Sequence, residues 1–187
     1  MIPDLFTALV NSIVGQQISS KAMATVWGRM QERHGPITPE RIDGTTAEDL
    51  QKCGMTMRKA EYIKEIACSV LNGRLDLAQL ERMSDNDVCE CLSQLRGIGI
   101  WTAEMLMIFS MQRPNVLSKD DLAILRGLRM VYRHKKITPS LFLKYKRRYS
   151  PYATVASLYL WAVAGGSCPL LTDPAQKTEA KKKAVKK

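Results

Sequence analysis

One stretch decides the fold of this chain: Leu95-Arg96-Gly97-Ile98-Gly99-Ile100-Trp101-Thr102-Ala103. Its two glycines flank an apolar residue between two helix-like segments, and this pattern is typical of a hairpin. Because glycine has no Cβ, the backbone N–H groups of such a hairpin can approach a phosphate closely. The alternative is a tight helix–helix turn that uses the glycines only for steric reasons. One helix later, the stretch Lys119-Asp120-Asp121-Leu122-Ala123-Ile124 adds a carboxylate.

The length and charge of the chain favour one folded domain with a polyanionic partner. A chain of 187 residues can bury one core, and we expect a single domain over residues 1–168. The formal net charge of +10 favours nucleic acid, because proteins that bind it neutralise phosphates with lysine and arginine. The stretch 169–187 is rich in alanine and lysine, and we predict that it is a disordered basic tail.

The cysteines and the apolar segments argue against secretion and against a membrane span. Five cysteines lie scattered at 53, 68, 89, 91 and 168, without the spacing of a disulfide framework, a zinc site or an iron–sulfur cluster. No basic leader is recognised, and the longest apolar run is too short to cross a bilayer. We expect a monomer in the cytoplasm, associated with the nucleoid in a bacterium or nuclear in a eukaryote.

Helical periodicity runs through most of the chain, and the fold is therefore predicted to be all-α. Two segments, from Trp101 to Met111 and from Tyr152 to Ala164, are apolar on most sides, which predicts burial on several faces. Helix starts are predicted from capping side chains and first-turn prolines. These starts lie at Ser19, Thr38-Pro39, Thr46, Ser84 and Thr138-Pro139.

The hairpin, the later aspartate and several further blocks in the same order resemble the helix-hairpin-helix DNA glycosylases of the HhH-GPD superfamily. Among them the chain is most similar to the 3-methyladenine DNA glycosylase II type. The resemblance extends from about Phe6 to Gly166. It implies two helical lobes that meet at a cleft. The blocks are Ser12 to Ser19, Gly54 to Ala60, Leu95 to Ala103, Asp120 to Gly127 and Ser150 to Trp161.

Asp121 matches the catalytic aspartate of that family. Cleavage of an N-glycosidic bond develops positive charge on the sugar, so a nearby carboxylate binds the transition state better than the ground state. Another interpretation is compatible with this one: Ser118 caps a helix and Asp121 is the acid at its third position. Asp120, the neighbouring acid, has a counterpart in the family that usually supports the catalyst.

Position 101 separates two mechanisms within the family. Related enzymes that also cut the DNA strand hold a lysine there as a Schiff-base nucleophile, whereas this chain has Trp101. The resemblance therefore implies a monofunctional glycosylase that lacks lyase activity and leaves an abasic site. Lys119 is a second lysine near the catalytic aspartate, and we interpret it as a solvated loop residue.

The resemblance also suggests residues for the base pocket and the DNA contacts. Alkylated purines carry positive charge, and an aromatic face attracts a cation as well as stacking on a flipped base. Gln17 matches the residue that fills the gap in the duplex, and a polar helix-capping loop is its alternative. The base pocket is predicted to contain Trp101, Trp161, Tyr152 and Met105. The DNA contacts are predicted to be Gln17, Ser19, Lys59, Gly97, Gly99 and Thr102.

The expected function is hydrolysis of the N-glycosidic bond of alkylated purines in damaged double-stranded DNA. No catalytic cofactor is expected, although the family's hairpin often holds Na⁺ or K⁺ through backbone carbonyls, here near Leu95 and Gly97. Two alternatives stay open at this point. One is a catalytically silent protein that binds DNA damage, and the other is a glycosylase for deaminated or oxidised bases.

Overall fold

A computed structural model describes residues 4–175 and contains helices but no β-strand within that range. The chain divides into two compact units, one ending at Gln112 and the other beginning at Arg113. Their helical content confirms the prediction of an all-α fold. None of the helices in the described part of the chain is long and apolar enough to cross a membrane.

The first unit is built from eight helices, α1 to α8, within residues 4–112. Fully buried side chains at the centre of this unit include Leu9, Ile13, Met30, Ile63 and Leu92. The helices are α1 (Leu5–Gly15), α2 (Ser20–His34), α3 (Pro39–Asp43), α4 (Ala47–Gln51), α5 (Met57–Leu71), α6 (Leu77–Arg82), α7 (Asp85–Ser93) and α8 (Ile100–Phe109).

The second unit contains the helices α9 (Leu122–Tyr132), α10 (Pro139–Tyr149) and α11 (Ala153–Ala164) among its described residues. Gly127 allows α9 to pack directly on α11, because an added Cβ would collide with the backbone of Leu160. The start of α9 lies beside the end of α11, so the two helices are antiparallel. The core of this unit contains Leu117, Ile124, Leu128, Phe142, Tyr145 and Leu160.

Capping side chains account for most of the helix starts. Among the eleven helices of residues 4–175, nine have an N-cap side chain that accepts a hydrogen bond from a backbone N–H group of the first turn. The predicted starts at Ser19, Thr38, Thr46, Ser84 and Thr138 are confirmed. The short helix α6 was not predicted, although Asp76 caps it in the same way.

Three predictions about the fold are corrected. Ser118 does not cap α9, because Asp121 itself occupies the N-cap position. The segments around α8 and α11 are less buried than predicted, since Trp101 and Tyr159 are both exposed. The stretch 169–175, predicted to begin the disordered tail, contains a buried aspartate, Asp173, that pairs with Arg129 of α9. The rest of the predicted tail, 176–187, lies outside the described residues, and the cleft stays a prediction.

Candidate active site

Asp121 is buried at the N-cap position, immediately before α9. One oxygen of its carboxylate accepts hydrogen bonds from the backbone N–H groups of Ala123 and Ile124, each at 2.9 Å. These two N–H groups belong to the first turn of the helix, where no carbonyl is available to accept from them. The positive end of the helix dipole and the two hydrogen bonds both favour the ionised carboxylate. Asp121 is therefore both a helix cap and a fixed negative charge.

The segment that leads to Asp121 is attached to α11 by hydrogen bonds. The hydroxyl of Thr154 accepts from the N–H of Val116, and the hydroxyl of Ser157 donates to the carbonyl of Val116 at 2.9 Å. The backbone N–H of Thr154 donates to the carbonyl of Pro114. Ser118 is fully buried beyond this attachment, and its hydroxyl has no hydrogen-bond partner among the described residues. Packing against α11 thus fixes the loop that leads to Asp121.

Trp161 lies close to the start of α9 within the same unit. It lines a cavity of about 500 Å³ together with Leu122 and Ala123, the two residues that follow Asp121. Arg126, Ala164 and Gly165 complete the wall. The structure therefore brings two predicted site residues of the second unit, Asp121 and Trp161, to one end of the α9–α11 pair.

Tyr152 is separated from Trp161, contrary to the prediction that both line the base pocket. The two residues are nine positions apart around α11, and at about 100° per residue they project from opposite sides of that helix. Tyr152 instead lines another cavity, with Tyr149 and Tyr159. The sequence showed that α11 is apolar on most sides. It did not show which other helices cover each side.

The glycine hairpin lies between α7 and α8 in the first unit. Gly97 has a φ of 87°, a left-handed conformation that other residues rarely adopt, and an added Cβ would collide with the ring of Tyr62. Arg96 lies over the same ring, 5.0 Å from its centroid, and forms an exposed ion pair with Glu65. Tyr62 therefore fixes the hairpin from one side, and only glycine fits at position 97.

The start of α8 has no capping side chain. Gly99 is its N-cap residue, and no atom would lie within 4 Å of a Cβ added there. The N-cap residue of α8 therefore offers no side-chain oxygen to the N–H groups of the first turn. Thr102 is itself buried, and its contact with DNA stays a prediction. An uncapped helix start of this kind can bind a phosphate.

The loop after α1 is held against the hairpin. The side-chain amide of Gln16 donates to the carbonyl of Gly97 at 2.7 Å. Lys59 donates to the carbonyls of Val14 and Gln16, at 2.9 and 2.6 Å, and burial lowers the pKa of its ammonium group. Gln17 follows with a φ of 57° and an exposed side chain. The loop thus presents Gln17 from a fixed and strained backbone, which is typical of functional sites.

These contacts give two predicted DNA contacts a structural role. Lys59 binds the end of α1, and Ser19 caps α2 by accepting from the N–H of Ala22. Their contact with phosphate stays a prediction. A cavity of about 340 Å³ lies between α1 and α8. Met105, one helical turn beyond Trp101, lines it. Its wall includes the polar residues Asn11 and Ser12, which lie on α1 just before the loop.

A family model for an HhH-GPD superfamily base excision DNA repair protein matches residues 10–149 of the chain. The chain belongs to the HhH-GPD superfamily. The matched residues include the loop after α1, the hairpin and Asp121, so this result confirms the resemblance inferred from the motifs.

Relatives of this HhH-GPD protein share most of its length. A "DNA-3-methyladenine glycosylase 1" of Schizosaccharomyces pombe is 35% identical over 161 residues, which cover 83% of this chain and 71% of that protein. A crystal structure of a DNA-3-methyladenine glycosidase from Bacillus halodurans matches with a TM-score of 0.81 and 38% identity, over 88% of this chain and 79% of that one. A 3-methyladenine DNA glycosylase of S. pombe in complex with abasic DNA matches with a TM-score of 0.72 and 34% identity, over 86% and 81%.

Several residues near the predicted site residues were not singled out from the sequence. Asn11 and Ser12 form a polar pair within the otherwise apolar helix α1, and this contrast was the available signal. Ile18 is an exposed apolar residue next to Gln17, where a side chain could enter a duplex. Arg126 lines the cavity beside Trp161, and no local pattern distinguished it from the other arginines.

Proposed function

We propose that this chain is a monofunctional DNA glycosylase that hydrolyses the N-glycosidic bond of alkylated purines during base excision repair. Two features support the proposal: membership of the HhH-GPD superfamily, and relatives whose names specify 3-methyladenine glycosylases. The substrate is damaged double-stranded DNA, and the place of action is the compartment that contains the chromosome.

The observation that carries the proposal is the buried, doubly hydrogen-bonded carboxylate of Asp121 beside the Trp161 cavity. During cleavage, the bond between the sugar and the base breaks, the base leaves with the electron pair, and the sugar becomes positively charged. At a distance of about 4 Å and an effective dielectric constant of about 20, a carboxylate stabilises that charge by about 4 kcal/mol. This corresponds to a rate increase on the order of a thousandfold. Water then adds to the sugar and loses a proton.

An alkylated purine is a suitable leaving group for such a site. Because the modified base already carries positive charge, it departs as a neutral molecule and needs no proton from the protein. Its charge also favours an aromatic face such as that of Trp161 or Trp101. The neutral leaving group and the attraction of the cationic base to an aromatic ring explain why a carboxylate and aromatic side chains are sufficient for this reaction.

Base flipping requires contacts to the DNA around the lesion. Removing a base from the stack costs a few kcal/mol and leaves a gap in the duplex. Gln17, exposed in a fixed loop, would fill that gap. The uncapped start of α8 at Gly99 would hold a backbone phosphate and set the register without reading sequence.

The product follows from position 101. A Schiff base with the sugar needs an amine, and Trp101 has none. Lys119 is the lysine nearest to Asp121 in sequence, and its side chain is exposed to solvent. The expected product is therefore an intact strand with an abasic site.

A monovalent cation at the hairpin is a further part of the proposal. The carbonyl of Leu95 accepts from the N–H of Ile98, and the carbonyl of Gly97 accepts from the amide of Gln16. Each carbonyl oxygen has a second lone pair, so both can also contact Na⁺ or K⁺. The ion would add positive charge close to the proposed phosphate site.

The test compares the wild type with Asp121→Asn on duplexes that contain 7-methylguanine or 3-methyladenine. Release of the free base by the wild type, with at least a hundredfold loss in the variant, supports the proposal. Equal release by both proteins would contradict the role of Asp121. Borohydride treatment should trap no covalent complex, and a trapped complex would contradict the monofunctional mechanism.

A panel of lesions distinguishes the alternatives. Binding to damaged duplex without release of any base would favour a silent damage-binding protein. Release of hypoxanthine or 8-oxoguanine, but not of alkylated purines, would favour a glycosylase for deaminated or oxidised bases. The HhH-GPD fold is compatible with all three, so the lesion panel decides between them.

A further inference from the structure

A groove rich in tyrosine lies on the second unit, on the side of α11 opposite Trp161. It has a volume of about 510 Å³. We refer to it as the tyrosine groove. Its wall includes Tyr132, Tyr149, Tyr152, Val155, Tyr159 and Arg148. The hydrolytic mechanism uses none of these residues.

Two of the tyrosines are exposed to an unusual degree. Tyr152 is 65% and Tyr159 is 72% accessible to solvent. They are seven residues apart on α11, which places them on the same side of the helix with a separation of about 10 Å. Val155 lies between them and is also exposed. These three side chains form an exposed patch that is available for an interaction.

The floor of the groove is rigid. The hydroxyl of Tyr149 donates to the hydroxyl of Tyr132 at 3.0 Å, and burial together with this contact raises the pKa of Tyr149. Tyr132 stacks on Tyr145 with the ring centroids 4.0 Å apart. The guanidinium of Arg148 lies 5.8 Å from the centroid of the Tyr132 ring. The groove is therefore a preformed aromatic surface with a cation at its edge.

The segment that forms the groove carries only basic charges. Residues 122–172 include nine lysines and arginines but no aspartate or glutamate. Lys144, Arg147 and Arg148 are all exposed on α10 and, at a spacing of three and four residues, form one stripe that ends at the groove. These exposed cations, in a stretch of sequence without acidic residues, are complementary to a polyanion.

We propose that the tyrosine groove binds an unpaired strand of nucleic acid. The bases stack on Tyr152 and Tyr159, and the phosphates contact Lys144, Arg147 and Arg148. Proteins that bind single strands combine aromatic platforms with cations in this way. A duplex offers its phosphates but keeps its base faces stacked, so it cannot use the tyrosines. The site is distinct from the proposed catalytic site and does not depend on it.

The first experiment measures the binding of a fluorescent single-stranded oligothymidylate to the full chain by anisotropy. Replacing both Tyr152 and Tyr159 by alanine should weaken binding by about tenfold or more for each ring. The Tyr→Phe double variant should retain the affinity, because stacking needs only the ring. Leu158→Ala, which changes an exposed apolar residue on another side of α11, is the matched control. Equal affinity of the wild type and the alanine variant would overturn the proposal.

The second experiment needs no variant. Tyrosine nitration, mapped by mass spectrometry, should be slowed at Tyr152 and Tyr159 by the oligothymidylate and not by a blunt duplex of equal length. Equal protection by both would show a phosphate contact alone and would overturn the stacking site. The same measurement with an oligouridylate shows whether the groove prefers a strand of DNA or of RNA. No protection by either oligonucleotide would also overturn the proposal.

Discussion

Helices α8 and α9 begin in opposite ways, and this difference separates two uses of a helix start. α9 begins at Asp121, whose carboxylate accepts from two backbone N–H groups. α8 begins at Gly99, which has no side chain to accept from the first turn. In α9 the N-cap side chain supplies a negative charge, whereas the N-cap residue of α8 supplies none, and we propose that a DNA phosphate binds there.

This difference shows that a helix start without a capping side chain can indicate a binding surface, just as a capped start can indicate a fixed charge. Among the described residues, α11 is the other helix without a capping side chain, and its N-cap residue is the exposed Tyr152 at the tyrosine groove. The two uncapped starts are thus next to the two surfaces proposed to contact nucleic acid, while the capped start is next to the proposed catalytic site. Exchanging the properties of the α8 and α9 starts tests the comparison directly.

The largest effect is expected for the charge at the start of α9. Asp121→Asn should reduce base release about a thousandfold, because the stabilising carboxylate is lost. The folding stability should be almost unchanged, since asparagine caps helices as well as aspartate does. Asp121→Ala should lose both the activity and about 0.5–2 kcal/mol of stability. Single-turnover assays and thermal unfolding of both variants separate catalysis from capping, and a full-rate Asp121→Asn enzyme would contradict the comparison.

The next effect concerns the hairpin before α8. Gly97→Ala should destabilise the protein by about 2–3 kcal/mol, because its left-handed backbone and the ring of Tyr62 both oppose a Cβ. Gly99→Ala is the matched control, since its backbone is extended and the space around it is open. Urea unfolding of both variants gives the difference. Equal stability of the two would show that Tyr62 does not fix the hairpin.

Converting the start of α8 into that of α9 should abolish its proposed contact with DNA. Gly99→Asp places a carboxylate where the phosphate would bind, and we expect duplex affinity to fall by about 10- to 100-fold. The slope of log affinity against log salt should decrease by about one phosphate contact. The unfolding midpoint should stay constant or rise, because aspartate is a good cap. Unchanged affinity would exclude this helix start from the DNA contact.

Asp173 provides a comparison for Asp121, because its carboxylate has a purely structural role. Asp173 accepts two hydrogen bonds from Arg129, at 3.0 and 2.6 Å, and these lower the pKa of its carboxyl group. Because the folded pKa lies below the unfolded one, the stabilisation is present above about pH 4 and is lost as the pH falls further. Asp173→Asn should therefore cost about 1–2 kcal/mol at neutral pH and progressively less at acidic pH.

Unfolding curves at several pH values test this prediction, with Asp49→Asn at an exposed ion pair as the control. The control variant should differ little from the wild type at any pH, since exposed pairs are weak. A cost for Asp173→Asn that does not depend on pH would show that packing rather than charge fixes the last described residues to α9.

Local features were predictable from the sequence, whereas features that depend on distant neighbours were not. Helix caps such as Ser19 and Ser84 act within one turn, so their positions could be read directly. Ser118 was misread as a cap because the bonds that bury its segment come from Thr154 and Ser157, about forty residues away. The structural role of Lys59 could not be predicted either, because its carbonyl partners are 43 and 45 residues away.

The same reasoning explains the mixed result for the aromatic residues. Periodicity located α11 but did not show that α9 and α10 leave one side of it uncovered, so Tyr152 was assigned to the wrong cavity. Trp161 was placed near Asp121 through the resemblance, and the antiparallel packing of α9 and α11 brings the two together. Gly127 was the one local clue to that packing, since a glycine within a helix often marks a close approach of backbones.

The hydrogen bond from Gln16 to the carbonyl of Gly97 has a consequence for how the protein would survey DNA. It joins the loop that carries Gln17 to the hairpin that precedes the uncapped start of α8. The hydrogen bond therefore fixes the distance between the two proposed DNA contacts, which are Gln17 inside the duplex and the start of α8 on the phosphate backbone. A strand whose phosphate bound at α8 would then present a single nucleotide position to Gln17.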